Sequence, residues 1–333
     1  MKLRPFQRLN YADVPAKPRI PHGYDRAEAR DVHVTSRVMG NVRVHVRVLG
    51  SGFGAQGAEG DPKPQVSNQK PPLLLVHGLM TSSYSFRYVI EPLAQHFQVF
   101  VPDLPGAGRS DKPLVPHFSA QNFGVFLGEL QRELGIRGCL VMGNSLGGFM
   151  AMHLALQDPE AISRLVVNHA PGIPDTRYKA LRLLLSRSVV RSVFRRVVQH
   201  DVRKWVFRNV HYYDETLKSL EELDEYGKPL ASPEGMECFV KMLRETMHPA
   251  AFEDFVGRLE KNPLRVPTLF VYARQDPLVP PRVGEALHRL VPGSQLEWID
   301  GTSHFTHVDS PDRMISTVLP FLLGPLARRE ELR

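Results

Sequence analysis

Residues 139–148 read Cys-Leu-Val-Met-Gly-Asn-Ser-Leu-Gly-Gly. An apolar run leads into a Gly-x-Ser-x-Gly motif, and the following residues, 149–157, have helix-forming composition. This order predicts a strand, a sharp turn and a helix. At such a turn the serine takes strained backbone geometry and presents its hydroxyl above the sheet. The flanking residues must be small, because the two arms of the turn approach closely. Ser145 is therefore a candidate nucleophile.

Strand and helix patterns alternate on both sides of this motif. Short apolar runs at 73–76, 99–101, 140–142, 165–167, 268–272 and 295–299 predict buried strands, and residues 121–134, 146–157, 282–290 and 311–323 predict helices. Alternating valines between Asp31 and Leu49 predict an antiparallel hairpin that turns at Gly40-Asn41. The fold class is therefore α/β, a mostly parallel, doubly wound sheet with an antiparallel N-terminal hairpin.

A long segment interrupts this alternation. Residues 172–263 lack strand signals, and we interpret them as a helical cap inserted into the core. The predicted organisation is an N-terminal extension at 1–30, a core at 31–171 and 264–325, the cap at 172–263 and a tail at 326–333. Residues 50–70 are rich in Gly, Pro and Gln without apolar periodicity, which predicts a long surface loop.

The predicted cap carries two opposed blocks of charge. Residues 177–208 contain ten bases and one acid, and residues 214–260 contain five bases and twelve acids. Electrostatic attraction between the basic and the acidic block within one insertion explains both blocks. Residues 181–198 could instead lie on anionic lipid, as basic amphipathic helices do. We favour a single cap helix whose apolar side faces the substrate and whose arginines face water or the acidic block. Modules for nucleic-acid binding are missing.

A serine nucleophile needs a base, and the base needs a carboxylate. Because ligands of parallel sheets bind at the carboxyl ends of the strands, both should follow strands. His304 follows the last predicted strand and is the predicted base, with His307 as a rival. Asp276 follows the strand before it and is the predicted acid, with Asp175 as a weaker rival. The loop after Val167 offers Asn168, which is not an acid.

The oxyanion of the reaction needs preorganised N–H donors. The backbone N–H of Leu146, directly after the nucleophile, is one candidate donor. The loop after the first parallel strand begins His77-Gly78-Leu79, and the Leu79 N–H is the second candidate. His77 and Gly78 are expected to shape this loop near the substrate. The order Ser145, Asp276, His304 is the chain order described for this type of site.

These motifs resemble those of the α/β-hydrolase superfamily. The resemblance spans residues 71–323 and rests on Val76-His77-Gly78, on Asp103 to Ser110, on Gly143 to Gly148, on Asp276 and on Ser303-His304. It implies a capped serine hydrolase of the esterase type, and it implies that the segment from Asp103 to Ser110 is scaffold. Relatives with aspartate as nucleophile, such as haloalkane dehalogenases and epoxide hydrolases, are disfavoured by the serine.

Two alternatives remain open. Asn144, before the nucleophile, is frequent in hydrolases that cleave carbon–carbon bonds of aromatic ring-fission products. Those enzymes usually have a glycine-rich oxyanion loop and a tryptophan after the base, whereas this chain has Leu79-Met80-Thr81 and Phe305, a possible substrate contact. A non-catalytic ligand-binding module on the same fold is the other alternative. The expected substrate is an apolar carboxylic ester or related acyl compound.

Composition sets broader bounds. The chain has 333 residues, of which 42% are hydrophobic and 23% charged, and a formal net charge of +7. These values are typical of a globular protein with one large core. No dinucleotide fingerprint surrounds Gly106 and Gly108, and no cluster has metal-ligand spacing, so we expect no cofactor and no metal. Two cysteines and no apolar leader predict a cytoplasmic protein.

Overall fold

The computed structural model of the protein describes residues 7–50 and 70–325. The strands are β1 (Glu28–Ser36), β2 (Gly40–Leu49), β3 (Pro72–Val76), β4 (Gln98–Pro102), β5 (Cys139–Asn144), β6 (Ile162–Asn168), β7 (Thr268–Tyr272) and β8 (Gln295–Trp298). The helices are α1 (Ile90–Ala94), α2 (Ala120–Glu133), α3 (Leu146–Gln157), α4 (Thr176–Ser186), α5 (Ser188–His200), α6 (Val202–Asn209), α7 (Leu220–Ala231), α8 (Pro233–Thr246), α9 (Pro249–Lys261), α10 (Pro281–Leu290), α11 (Thr306–Asp309) and α12 (Pro311–Leu323). The predicted loop at 50–70 falls almost entirely outside the described residues.

One sheet organises these elements, in the order β1-β2-β4-β3-β5-β6-β7-β8. The β1–β2 hairpin pairs antiparallel to β4, and β3 to β8 are parallel to β4. The predicted fold class is confirmed. Since β5 lies in the middle of the parallel strands and every residue of β5 is buried, the turn after it opens at the centre of the sheet edge.

Side chains of each strand alternate between two apolar layers. Leu74 and Val76 of β3 pack with α2 and α3, whereas Leu73 and Leu75 pack with α1 and α12. Because both faces are covered by helices, the central strands are apolar throughout. This double burial holds the strand ends, and therefore the loops that follow them, in fixed positions.

Six of the described helices, α4 to α9, lie between β6 and β7, within the predicted cap range. A third apolar cluster joins helices α5 to α8 to the core, through residues such as Tyr84, Tyr226 and Phe305. The exact domain boundaries stay a prediction. None of the helices in the described ranges is long and apolar enough to cross a membrane.

Two local predictions are wrong. The hairpin turns at residues 37–39 and not at Gly40-Asn41, because the Ser36 hydroxyl accepts the amides of Val38 and Met39 and closes the turn earlier. Gly40 already pairs with Ser36 as the first residue of β2, with φ of +74°.

Residues 181–198 do not form one helix, because Arg187 is extended (ψ 125°) and separates α4 from α5. The apolar side chains of this segment also do not share one buried face. Leu181 and Phe194 face the cavity described below, whereas Val189, Val193 and Val197 face solvent.

Candidate active site

Ser145 lies in the sharp turn between β5 and α3, with φ of 54° and ψ of −125°. A non-glycine residue with positive φ is strained, and the surrounding structure must hold it there. The Ser145 amide donates to the Asn168 carbonyl oxygen at 2.7 Å. A Cβ at Gly147 would lie 2.3 Å from the Val76 carbonyl oxygen, so only glycine permits this approach of α3 to β3.

The loop after β3 is fixed by hydrogen bonds to one carbonyl group. His77 Nδ1 lies 2.8 Å from the Gly78 oxygen, and Thr81 Oγ1 donates to the same oxygen at 3.1 Å. His77 Nε2 accepts the Leu104 amide at 2.9 Å, so its Nδ1 carries the proton. Burial lowers the pKa of His77, which keeps the imidazole neutral. Since the peptide bond is trans, the Leu79 N–H points away from this bonded carbonyl group.

His304 and Asp276 meet at the same edge of the sheet. His304 Nδ1 lies 2.7 Å from Asp276 Oδ2, and both side chains are buried. Asp276 Oδ1 accepts the amides of Leu278 and Val279 at 2.7 and 3.0 Å. Burial alone would raise the pKa of Asp276, but the charge of His304 and the hydrogen bonds lower it below the usual value. The carboxylate is therefore ionised and orients His304.

A cavity of about 410 Å³ brings these residues together. Gly78, Leu79, Ser145, Leu146 and His304 all line it, as do Asn144 and Phe305. Most of the remaining wall is apolar. The cap contributes Tyr178, Leu181, Phe194, Trp205, Phe239 and Leu243, and the loop after Asp276 contributes Leu278 and Val279. An apolar pocket with a few convergent polar groups is typical of a small-molecule site.

A model of the alpha/beta hydrolase fold family matches residues 71–311, which is more than half of the chain. The chain belongs to this family. The match begins just before β3 and ends at the start of α12, so it includes every predicted catalytic and oxyanion residue. The predicted resemblance is confirmed, and the matched range contains the turn between β5 and α3.

Curated relatives of the family include named hydrolases. The chain is 26% identical to the uncharacterized hydrolase YugF of Bacillus subtilis, over 75% of this chain and 89% of the relative. It is 27% identical to the pimeloyl-[acyl-carrier protein] methyl ester esterase of Vibrio atlanticus, over 77% and 96%. The solved structure of Cfl2 from Burkholderia cenocepacia superposes with a TM-score of 0.72 at 20% identity, covering 93% of this chain and 99% of that one. This last similarity supports the family's fold.

The sequence prediction missed His169, the residue after β6. His169 Nδ1 lies 2.8 Å from Asp276 Oδ2, and His169 Nε2 lies 2.6 Å from Thr306 Oγ1. Burial lowers the pKa of His169, so the ring is neutral. The contact between Nδ1 and Oδ2 is short but lacks the alignment of a hydrogen bond. His169 has φ of 50°, which turns it toward Asp276. Its place directly after a predicted strand, at the same sheet edge as the other strand ends, is the signal that the sequence offers for it.

The rival base and acid lie elsewhere. His307 is buried and stacks on Phe86 with ring centroids 5.0 Å apart. Burial lowers its pKa far below the usual range. Asp175 caps α4 and pairs with Arg177 and Arg282 at 3.0 and 2.7 Å. Neither residue is bonded to His304.

Three other predicted residues have clear positions. His77 shapes the loop from behind and does not line the cavity. Asn144 lines the cavity, but its Oδ1 accepts the Asn168 side-chain amide at 2.6 Å. Phe305 packs edge-on against Tyr212, with ring centroids 5.4 Å apart, and closes the cavity beside His304.

His169, Asp276 and His304 also form a group with the donor types of a metal site, with ligand atoms within 4.8 Å of one another. Both imidazole nitrogens lie 2.7–2.8 Å from one carboxylate oxygen, which is hydrogen-bond distance. Ligands around a tetrahedral zinc ion stand roughly 3.4 Å apart. These distances therefore fit two imidazoles in direct contact with one carboxylate better than ligands around a shared ion.

The segment from Asp103 to Ser110 is held by its own carboxylate. Asp103 accepts the amides of Ser83 and Arg109 at 2.8 and 2.7 Å. Gly108 has φ of 46°, and a Cβ there would lie 2.1 Å from Asp103 Oδ2. These contacts fit the scaffold role that the resemblance implies.

Proposed function

We propose that the protein is a serine hydrolase that cleaves carboxylic esters through an acyl-enzyme. The observation that carries the proposal is the strained Ser145 in one apolar cavity with the hydrogen-bonded pair of His304 and Asp276. A serine hydroxyl needs an adjacent base to become nucleophilic, and the base needs a carboxylate that fixes its tautomer. The esterase name of one relative is consistent with this chemistry.

The reaction follows from the positions. Ser145 Oγ attacks the acyl carbonyl carbon while His304 Nε2 takes the hydroxyl proton. The carbonyl π electrons move to oxygen, and the Leu79 and Leu146 N–H groups stabilise that oxyanion. The tetrahedral intermediate collapses, His304 returns the proton to the leaving alcohol, and an acyl-Ser145 ester remains. Water, deprotonated by His304, attacks this ester and releases the acid, which restores Ser145.

The cavity limits the substrate. Its volume of about 410 Å³ lies at the lower end for small-molecule sites, and its wall is mostly aromatic and aliphatic. We therefore propose a medium acyl chain or an aromatic acyl group as the part that enters. No carboxylate side chain lines the cavity among the described residues, so a cationic acyl group is disfavoured.

Labelling and turnover test the proposal directly. The purified full-length chain should react with a fluorophosphonate probe and hydrolyse p-nitrophenyl esters, with a maximum at medium chain length. Ser145→Ala should lose both properties, whereas the control Ser316→Ala, on the exposed face of α12, should keep them. Labelling of Ser145→Ala at the parental level would refute the proposal.

Turnover of a panel of ketones distinguishes ester hydrolysis from the alternative of carbon–carbon bond cleavage. Asn144 motivates that alternative, but its side-chain oxygen already accepts from Asn168. We therefore expect ester turnover to exceed that of a vinylogous diketone by a wide margin, and the reverse order would favour carbon–carbon cleavage. Ligand binding without labelling or turnover would favour a non-catalytic module.

A further inference from the structure

One exposed face of the cap combines apolar side chains with unpaired bases. On α5, Val189, Val193 and Val197 follow one another at intervals of four residues and are 72%, 58% and 59% exposed. Leu183 and Leu184 of α4 are 64% and 55% exposed. Folding leaves such side chains in water only at a cost, because burying apolar area is favourable. Concentrated apolar exposure of this kind marks an interaction surface.

A groove of about 610 Å³ runs along the same side of α5 and α6. Val193 and Val197 line it together with three bases, Arg196, Lys204 and Arg208. We call this region the α5–α6 face. No ion pair among the described residues includes any of these three bases. The one acid in the groove, Asp201, accepts the Lys204 amide at 2.9 Å and caps α6.

Other bases of the cap pair with acids of the cap, as the opposed charge blocks of the sequence predict. Arg203 pairs with Asp224 at 2.5 Å, and Arg195 pairs with Glu237. Lys179 lies 4.0 Å from Glu253. The acidic block therefore neutralises part of the basic block, while the bases of the α5–α6 face remain available to an external anion.

We propose that the α5–α6 face docks onto an anionic lipid bilayer. A helix that presents aliphatic side chains flanked by bases matches the boundary between acyl chains and anionic headgroups. Nucleic acid would use the bases but would gain little from three exposed valines. A two-fold contact between copies would bring two such basic faces together, and Asp201, the one acid in the groove, already caps α6, so the contact is unfavourable.

The docked face adjoins the catalytic cavity. Trp205 lines both the groove and the cavity, and Phe194 of α5 also lines the cavity. Docking therefore places the bilayer one side chain away from the site of Ser145. An acyl substrate dissolved in the membrane can reach the cavity beside Trp205. This second step rests on the proposed ester chemistry, whereas docking does not.

Flotation with lipid vesicles tests docking without turnover. Full-length Ser145→Ala should bind vesicles of equal parts phosphatidylglycerol and phosphatidylcholine, should bind pure phosphatidylcholine much less, and should dissociate as salt is raised. Adding Arg196→Gln with Arg208→Gln should weaken binding roughly 25-fold, at about fivefold for each base. Adding Val193→Ser with Val197→Ser should weaken it roughly tenfold.

Matched controls lie outside the face. Arg265→Gln with Arg289→Gln removes the same charge from exposed positions, and Val115→Ser removes the most exposed valine, at 96%. Both controls should bind vesicles like the parent. Equal binding to the two vesicle types, equal losses in face and control variants, or a concentration-dependent dimer that the valine substitutions disrupt would each overturn the docking proposal.

Kinetics on the active enzyme test substrate access. Arg196→Gln with Arg208→Gln should leave turnover of a short soluble ester unchanged and should lower hydrolysis of a long-chain ester in anionic vesicles by the factor lost in binding. Equal loss on both substrates would overturn access through this face. Vesicle binding by a chain that hydrolyses neither ester would contradict the proposed function and leave docking supported.

Discussion

His169 Nδ1 lies 2.8 Å from Asp276 Oδ2, the same oxygen that lies 2.7 Å from His304 Nδ1. One carboxylate oxygen is thus in contact with two imidazoles: His304 is hydrogen-bonded to it, and His169 makes a short polar contact with it. The other oxygen, Oδ1, accepts two backbone amides. In the proposed mechanism His169 is a positioning residue, because it holds the acid that orients the base.

Two substitutions at His169 distinguish the effect of its side chain on kcat from the effect of its positive φ. The backbone is left-handed at this position, which glycine and asparagine tolerate. His169→Gly removes the donor, and we expect kcat to fall roughly 10- to 100-fold, because hydrogen bonds to charged groups contribute about 1.5–3 kcal/mol. His169→Asn keeps an N–H donor near Nδ1 and should retain more of kcat.

A KM measurement distinguishes positioning from a structural defect. His169 does not line the cavity, so KM for a p-nitrophenyl ester should change little in either variant. Thermal unfolding of both variants provides the stability comparison, and His200→Ala, at an exposed position, serves as the histidine control. Equal kcat in the glycine and asparagine variants would contradict the role of the donor.

The sequence was sufficient to predict which strand ends meet. Ser145, Asp276 and His304 each follow a strand, and in a parallel sheet those ends lie on one edge whatever the loop details. His169 follows β6 at the same edge, yet its contact with Asp276 depends on a positive φ that no local pattern encodes. The meeting of these side chains at one edge was therefore predictable, and the contacts that support them were not.

The cap shows a second limit. Periodicity in residues 181–198 indicates an amphipathic helix, but it does not say which apolar side chains meet a partner. In the structure Phe194 points into the cavity and Val193, its neighbour, points into solvent. Packing against distant parts of the chain determines which of these side chains is buried. An exposed apolar side of a helix therefore cannot be recognised before the fold is known.

The turn around Ser145 leads to a prediction about stability. A Cβ at Gly147 would lie 2.3 and 2.4 Å from the carbonyl oxygens of Val76 and His77, and backbone atoms cannot move aside without shifting β3. Gly147→Ala should lower the free energy of unfolding by about 3 kcal/mol or more and should lower turnover, because Ser145 moves with the turn.

Gly257→Ala is the matched control for this substitution. Gly257 lies inside α9, and a Cβ there would meet no heavy atom within 4 Å. Alanine should therefore raise the free energy of unfolding by up to about 1 kcal/mol through helix propensity. Urea denaturation of the two variants checks both signs, and a stable Gly147→Ala enzyme with parental turnover would contradict the predicted close approach.

The buried His153 in α3 leads to a prediction about how the free energy of unfolding depends on pH. Burial lowers the pKa of His153 to about 3. The unfolded chain binds a proton near pH 6.5 and the folded protein does not, so the free energy of unfolding falls as pH decreases below 6.5. Between pH 7 and pH 5 this residue should account for a loss of about 2 kcal/mol.

His153→Leu tests that assignment. Leucine suits the apolar surroundings, where the rings of Phe149 and Phe255 pack against the imidazole at centroid distances of 4.8 and 4.9 Å. Guanidinium denaturation at pH 7 and at pH 5 should show a smaller acid loss in the variant than in the parent. The exposed His200→Ala should keep the parental loss, and an unchanged loss in His153→Leu would remove His153 as the cause.

A buried ion pair connects the cap to the core. Arg87 and Glu222 of α7 are both fully buried, and their side chains meet at 3.0 Å. The Arg87 guanidinium lies between the rings of Tyr84 and Tyr88, at 4.8 and 4.5 Å, and the Tyr212 hydroxyl donates to Glu222. Removing one partner leaves the other charge buried without compensation.

Glu222→Gln should therefore lower the free energy of unfolding by about 3–5 kcal/mol. Arg87→Met with Glu222→Leu removes both charges and should be less destabilised than the sum of the single substitutions, since apolar replacement of a buried pair is often neutral. A double-mutant cycle from urea denaturation measures this coupling. Arg26→Met with Glu91→Leu, which removes a solvent-exposed pair, should show coupling below about 1 kcal/mol. Additive losses at Arg87 and Glu222 would show that the pair does not connect the cap to the core.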